Sequence, residues 1–162
     1  MTSADIGLVK SGRSAHLGSA ELIVHIETHA GFSELAAQWS VLQLHGLSTP
    51  YQILTWMRAW TEAIASHEGI EPLLIAGRDG RGRVVLLLPL GMRKAGGVLI
   101  AEFLGGKHAN FNMGLYDRTV VSELSGKDMK ALLKTVADRH HIDLFSFCLL
   151  YTSDAADDSL RV

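Results

Sequence analysis

The sequence predicts an α+β fold in layers, with helices placed before and after an antiparallel meander. Three observations predict it. Asp79-Gly80 lies between two apolar runs, residues 73–76 and 84–90, a strong hairpin signal because glycine reaches positive φ without a Cβ clash. Four short apolar runs (73–76, 84–90, 98–104 and 111–116) follow one another with turn chemistry between them. On either side of this block the apolar residues recur at helical spacing instead.

Taken in order, residues 1–19 are polar and rich in Ser and Gly, and read as a flexible leader. Residues 20–28 are the first strand, with His25 lining an edge. Phe32, Leu35, Ala36, Trp39 and Leu42 then form one helical stripe, closed by His45-Gly46. Thr49-Pro50-Tyr51-Gln52 has capping-box spacing with proline at the first helical position, so a second helix starts there or a few residues later. Its buried stripe is Ile53, Trp56, Met57, Trp60 and Ile64. Within the meander, Pro89 removes a ladder donor and predicts an edge position or a bulge. Phe111, Met113 and Leu115 alternate with Asn110, Asn112 and Tyr116, which predicts a strand with its amides facing outward. Ser125-Gly126-Lys127-Asp128 caps a third helix whose apolar face is Met129, Leu132, Leu133, Val136 and Ala137. Residues 142–147 are the last strand.

The 162 residues suffice for one domain with a real core. A net charge of -2 and a pI of about 6.4 give no general drive toward nucleic acid or anionic membranes. Arg78, Arg81, Arg83, Arg93 and Lys94 gather around the meander turns and read as solvated hairpin ends. No run approaches a membrane span, and the leader lacks the apolar core of a signal peptide. Cys148 stands alone, so no internal disulfide forms, and a reducing, cytoplasmic setting is expected. The eight histidines are scattered without metal spacing, so no metal site is expected.

The order strand, helix, helix, four strands, helix, strand resembles the acetyltransferase fold of the GNAT superfamily. Trp39 with Leu42, Pro50-Tyr51-Gln52, Trp56-Met57-Arg58-Ala59-Trp60, Leu86-Leu87-Leu88-Pro89-Leu90, Phe103-Leu104-Gly105-Gly106 and His108 sharpen it. In that order and spacing they resemble the CelD/BcsL-type acetyltransferases linked to cellulose and exopolysaccharide production. The resemblance covers roughly residues 20–147. It implies a GNAT-like N-terminal domain, the first of two in a parent about twice as long and similar to the Fem aminoacyl transferases. It also implies acetyl-CoA as the parent's cofactor, bound in a C-terminal domain that this chain lacks, and an amine or sugar acceptor. Residues 148–162 carry a different resemblance: Cys148-Leu149-Leu150-Tyr151-Thr152-Ser153-Asp154-Ala155-Ala156-Asp157-Asp158 looks like a translated transposase adapter from sequencing-library preparation. On that reading the native part stops near Phe147.

Chemistry is sparse. A diphosphate site at the opening of the third helix needs spaced glycines, and the stretch from Val121 to Lys127 offers one, with Glu123 opposing an anion. No cofactor is therefore expected on this part alone. The loop 105–110 is the most unusual in the chain, combining Gly105, Gly106, Lys107, His108 and Asn110. His108 and Glu102 are the only candidate bases beside it. Trp56, Arg58, Trp60, Lys107, His108 and Asn110 are the candidates for a wall of an acceptor cleft. The alternatives are a Fem-like half that uses charged tRNA, which the lack of a basic stripe disfavours, and a non-catalytic interaction or scaffold domain. By itself this part is expected to be inactive.

Overall fold

A computed structural model describes residues 22–147. The expected leader at 1–19 and the adapter-like tail at 148–162 lie outside the described residues, as do the first positions of the expected opening strand. Within them the fold is α+β, a mixed six-stranded sheet with helices on both faces. The strands are β1 (His25–His29), β2 (Glu71–Arg78), β3 (Val84–Ala95), β4 (Val98–Phe103), β5 (Leu115–Tyr116) and β6 (Leu144–Ser146). The helices are α1 (Ala36–His45), α2 (Leu54–Trp60), the single turn α3 (Arg118–Val121) and α4 (Gly126–His140).

The sheet order is β1-β2-β3-β4-β6, with β5 beside β3. All pairs are antiparallel except β4 and β6, which run parallel because the α3–α4 crossover carries the chain back across the sheet. Strand alternation sorts the core into two layers. Leu74, Ala76, Leu87 and Leu115 pack with Leu35, Trp39, Leu42, Met57 and Trp60 of the first helical layer. Leu73, Ile75, Leu86, Leu88 and Leu90 pack on the other face with Leu132 and Val136 of α4.

Several expectations need correction. The hairpin after β2 is tight, but its left-handed residue is Gly82 (φ 77), not Gly80. Asp79 donates its N–H to the Arg83 carbonyl at 3.0 Å, and its Oδ1 accepts from the N–H groups of Arg81 and Arg83 at 2.9 Å each. The carboxylate thus builds a three-residue loop that closes through a left-handed glycine. Pro89 sits neither on an edge nor in a bulge: it lies within β3, paired to Leu74, and the register irregularity is at Gly77 and Arg78 instead. Its carbonyl accepts from Leu104 at 2.9 Å. The missing N–H faces the same side, where β3 changes partner from β4 to β5, so no ladder bond is lost.

The fourth meander strand is the largest departure. Only Leu115 and Tyr116 pair, and they pair with β3 rather than β4: the other edge of β4 is taken by β6, and β5 lies beside Leu86 and Leu87 of β3, beyond the stretch that β4 occupies. The stretch before them is loop, and its amides do not all face outward: Asn112 is buried and gives its NH2 to the Gly106 carbonyl at 3.1 Å, while Phe111 is exposed. The Thr49 box forms as read but closes a 3₁₀ turn (Pro50–Gln52), and α2 begins after it and runs on into a π turn, Thr61–Ala65. The basic residues form no single patch. Arg78 and Arg83 pair with Glu27 and Asp79 near one end of β3, and Arg93 pairs with Glu102 near the other.

Candidate functional site

The loop that the sequence singles out is shaped from beneath. Gly105 adopts φ 101, and a Cβ there would stand 3.0 Å from the Trp56 ring, so the position needs glycine twice over. The chain then makes a 3₁₀ turn, Gly106–His108, closed by the His108 N–H on the Gly105 carbonyl at 2.9 Å. Buried Asn112 braces the turn through its bond to Gly106, and buried Gln52 holds the next segment through a 2.9 Å bond from its Nε2 to the Phe111 carbonyl. Trp39 Nε1 donates to the Gln52 carbonyl at 2.8 Å, which ties α1 to the same network.

Between this turn, the end of α2 and the β3–β4 ladder lies a surface cleft of about 360 Å³. Trp60, Glu68, Arg93, Glu102, Lys107 and His108 supply its polar groups. Ile70 and Phe103, both nearly buried, form its apolar wall. That volume suits a ligand of sugar or amino-acid size.

Two pairs fix the site's chemistry. Trp60 Nε1 donates to His108 Nδ1 at 3.2 Å. An indole N–H only donates, so Nδ1 accepts and the neutral imidazole carries its proton on Nε2. His108 therefore faces the cleft as a hydrogen-bond donor through Nε2. Arg93 donates from Nε to Glu102 Oε1 at 2.7 Å and from Nη2 to Oε2 at 3.5 Å. The Glu102 carboxylate, through that hydrogen bond and its charge, holds the Arg93 pKa above its ordinary value. The Nδ1 atom of His108 and the Glu102 carboxylate are thus both engaged by neighbours within the cleft.

Of the sequence candidates, Trp60, Glu102, Lys107 and His108 meet in the cleft. Trp56, Arg58 and Asn110 are not among its lining. Trp56 packs under Gly105 and edge-on to Tyr51 at 5.7 Å, and Asn110 gives its amide to the Tyr51 hydroxyl at 3.0 Å. Trp60 is a buried wall, 6% exposed, and offers no open ring for stacking. Sequence reasoning missed Arg93 and Glu68. The signal for Arg93 was present: across the Gly96 and Gly97 turn, Gly91 faces Glu102 and Arg93 faces Ile100, which sets Arg93 and Glu102 diagonally on one sheet face.

At the start of α4, Ser125 Oγ accepts from the Asp128 N–H at 3.2 Å, while Asp128 Oδ2 accepts from the Ser125 N–H at 3.1 Å and its hydroxyl at 2.6 Å. These hydrogen bonds from Ser125 hold the Asp128 carboxyl below its usual range. A carboxylate therefore occupies the helix end where a diphosphate would need donors, and the residues there do not fit coenzyme A. Among the described residues no group of three or more His, Cys, Asp or Glu side chains is placed to hold a metal, and no helix is long and apolar enough to cross a membrane. No protein-family model, curated protein or solved structure matches this chain.

Proposed function

We propose that residues 20–147 are the N-terminal domain of a GNAT-type acyltransferase of the CelD/BcsL kind, and that the cleft is one wall of its acceptor site. The observation that carries this reading is the convergence of Trp60, Glu102, Lys107 and His108 in one cleft of about 360 Å³. The order of helices and strands and the buried tryptophans of the first helical layer also support it. His108 Nε2 and the Lys107 ammonium orient the acceptor by donating to its oxygens. The Arg93–Glu102 pair holds the β3–β4 wall in register. Acyl transfer then belongs to the parent protein with its second domain, since the start of α4 here presents a carboxylate and not a phosphate cradle. Isothermal titration of the full-length parent with acetyl-CoA, coupled to a free-thiol assay with amine and amino-sugar acceptors, tests this. Saturable binding and transfer are expected, and absence of binding at millimolar ligand removes the reading.

A second reading, a non-catalytic interaction domain, draws on the same engaged pairs, because Trp60 and Arg93 occupy both candidate bases. It predicts that the parent binds acceptor without turnover.

A further inference from the structure

The cleft's charges are balanced and closely spaced. Glu68 and Glu102 face it together with Arg93 and Lys107, so the formal charges of the lining cancel. A simple anion meets carboxylates there as well as cations, and a simple cation meets the reverse. The inner pair, Arg93 and Glu102, is already closed on itself. Glu68 and Lys107 are different: both are exposed, and neither makes a side-chain hydrogen bond or ion pair with a described residue. They put a carboxylate and an ammonium in the lining of the same cleft, with the Glu68 charge close enough to help raise the Arg93 pKa. His108 adds a donor beside Lys107, its Nε2–H set by the Trp60 bond at Nδ1.

From this pattern we infer that the cleft takes a small zwitterion, a ligand whose carboxylate stands a few ångströms from its amine, as in an α-amino acid or an amino sugar acid. Lys107 and His108 Nε2 hold the carboxylate, and Glu68 holds the ammonium. This names the acceptor class for the acceptor-site reading and rests on it. Glu68 and Lys107 both line the cleft and are exposed, so a ligand that carries both charges can meet the two together. Charge-assisted bonds of this kind are the strong ones, and a ligand that satisfies both arms gains over one that satisfies either.

The test follows the Trp60 indole N–H resonance of the isotope-labelled chain, identified by its loss in Trp60→Phe, during titration at neutral pH and matched ionic strength. D-Glucosaminic acid and glycine are the zwitterions. D-Gluconate and D-glucosamine are the single-charge controls, on skeletons close to that of the first. The zwitterions should move the resonance and saturate, with each control weaker by about tenfold or more. Lys107→Met and Glu68→Gln, both at exposed positions, should each weaken zwitterion binding about tenfold with the rest of the spectrum unchanged. Gluconate binding as tightly as glucosaminic acid would make this an anion site and overturn the inference. Equal binding of glucosamine would overturn it too, as would no response to either zwitterion, or a Glu68→Gln variant of unchanged affinity. The titration contains no coenzyme. If it fails while the parent still binds acetyl-CoA, only the ligand class falls.

Discussion

Gln52 has no exposed surface, yet its amide oxygen accepts from the Thr49 N–H at 3.1 Å and its hydroxyl at 2.6 Å, and its NH2 donates to Phe111. Replacing it by leucine, of similar volume, would remove the bonds that the buried amide supplies to Thr49 and to the Phe111 carbonyl. Gln52→Leu is therefore expected to lose about 2–3 kcal/mol, read as a lower urea midpoint with unchanged slope. A loss below about 0.5 kcal/mol, the range of ordinary surface changes, would show that water replaces the amide at little cost. Half of this residue's work was legible in the sequence. The spacing of Thr49 and Gln52 is a local pattern, and the capping box it predicted forms. The reach to Phe111, 59 residues further on, was not legible, because periodicity and spacing report only neighbours along the chain.

At the scale of the elements, the local signals served well and the pairing signals less so. Apolar stripes placed α1, α2 and α4, and the serine cap placed the start of α4. That cap is directly testable: Ser125→Ala should lower stability by about 1 kcal/mol, visible as a drop in Tm. The fate of residues 111–116 turned instead on which edge of β3 was free, a fact of the assembled sheet. Once β4 takes the second half of β3, only the short β5 fits beside Leu86 and Leu87. The join between α1 and β5 explains Gly46, read from sequence as helix-end chemistry. Its backbone is extended (φ -87), so it is not there for a left-handed turn. A Cβ at Gly46 would run into the carbonyl oxygens of Tyr116 and Leu42, both fixed in backbone. Leu47 and Tyr116 exchange hydrogen bonds of 2.7 and 3.1 Å just beside it. Gly46→Ala must push α1 off β5 and should cost about 2–3 kcal/mol, whereas alanine at exposed Gly80, where a Cβ meets nothing, should cost far less. Equal Tm values for the two variants would remove close approach as the reason for Gly46.

For the whole molecule, the site was legible as a loop and not as a cleft. Lys107 and His108 stood out by composition, but Arg93 and Glu68 come from distant elements and needed the fold to reach them. The ionisable groups make a prediction at this scale, because several of them push stability in one direction. Hydrogen bonds from Arg78 to Glu27, from Thr119 to Asp117 and from Ser125 to Asp128 hold those carboxyls below their usual range. A carboxyl whose folded pKa is depressed adds stability above its unfolded value, about 4, and loses it as pH falls through the folded value. His140 acts earlier in an acid titration. Burial first, then the charges of Arg139 and His141, lower its pKa, while its Nε2 lies 3.1 Å from the Thr28 hydroxyl. The unfolded chain then takes up that proton near pH 6.5 while the folded chain resists, so stability begins to fall below about pH 6.5. Tyr116 bounds the alkaline side. Burial raises its pKa against a smaller opposing hydrogen bond from Gly114, so above about pH 10 the unfolded chain loses its phenol proton first and stability falls again. Chemical denaturation across this range should trace a dome with a flat top between about pH 7 and 10 and an acid arm in two stages. His140→Gln should flatten the first stage, between about pH 6.5 and 5, and leave the carboxylate stage in place. An acid arm of unchanged shape in that variant would mean that His140 is as well hydrated in the folded chain as in the unfolded one, against its position beside Thr28.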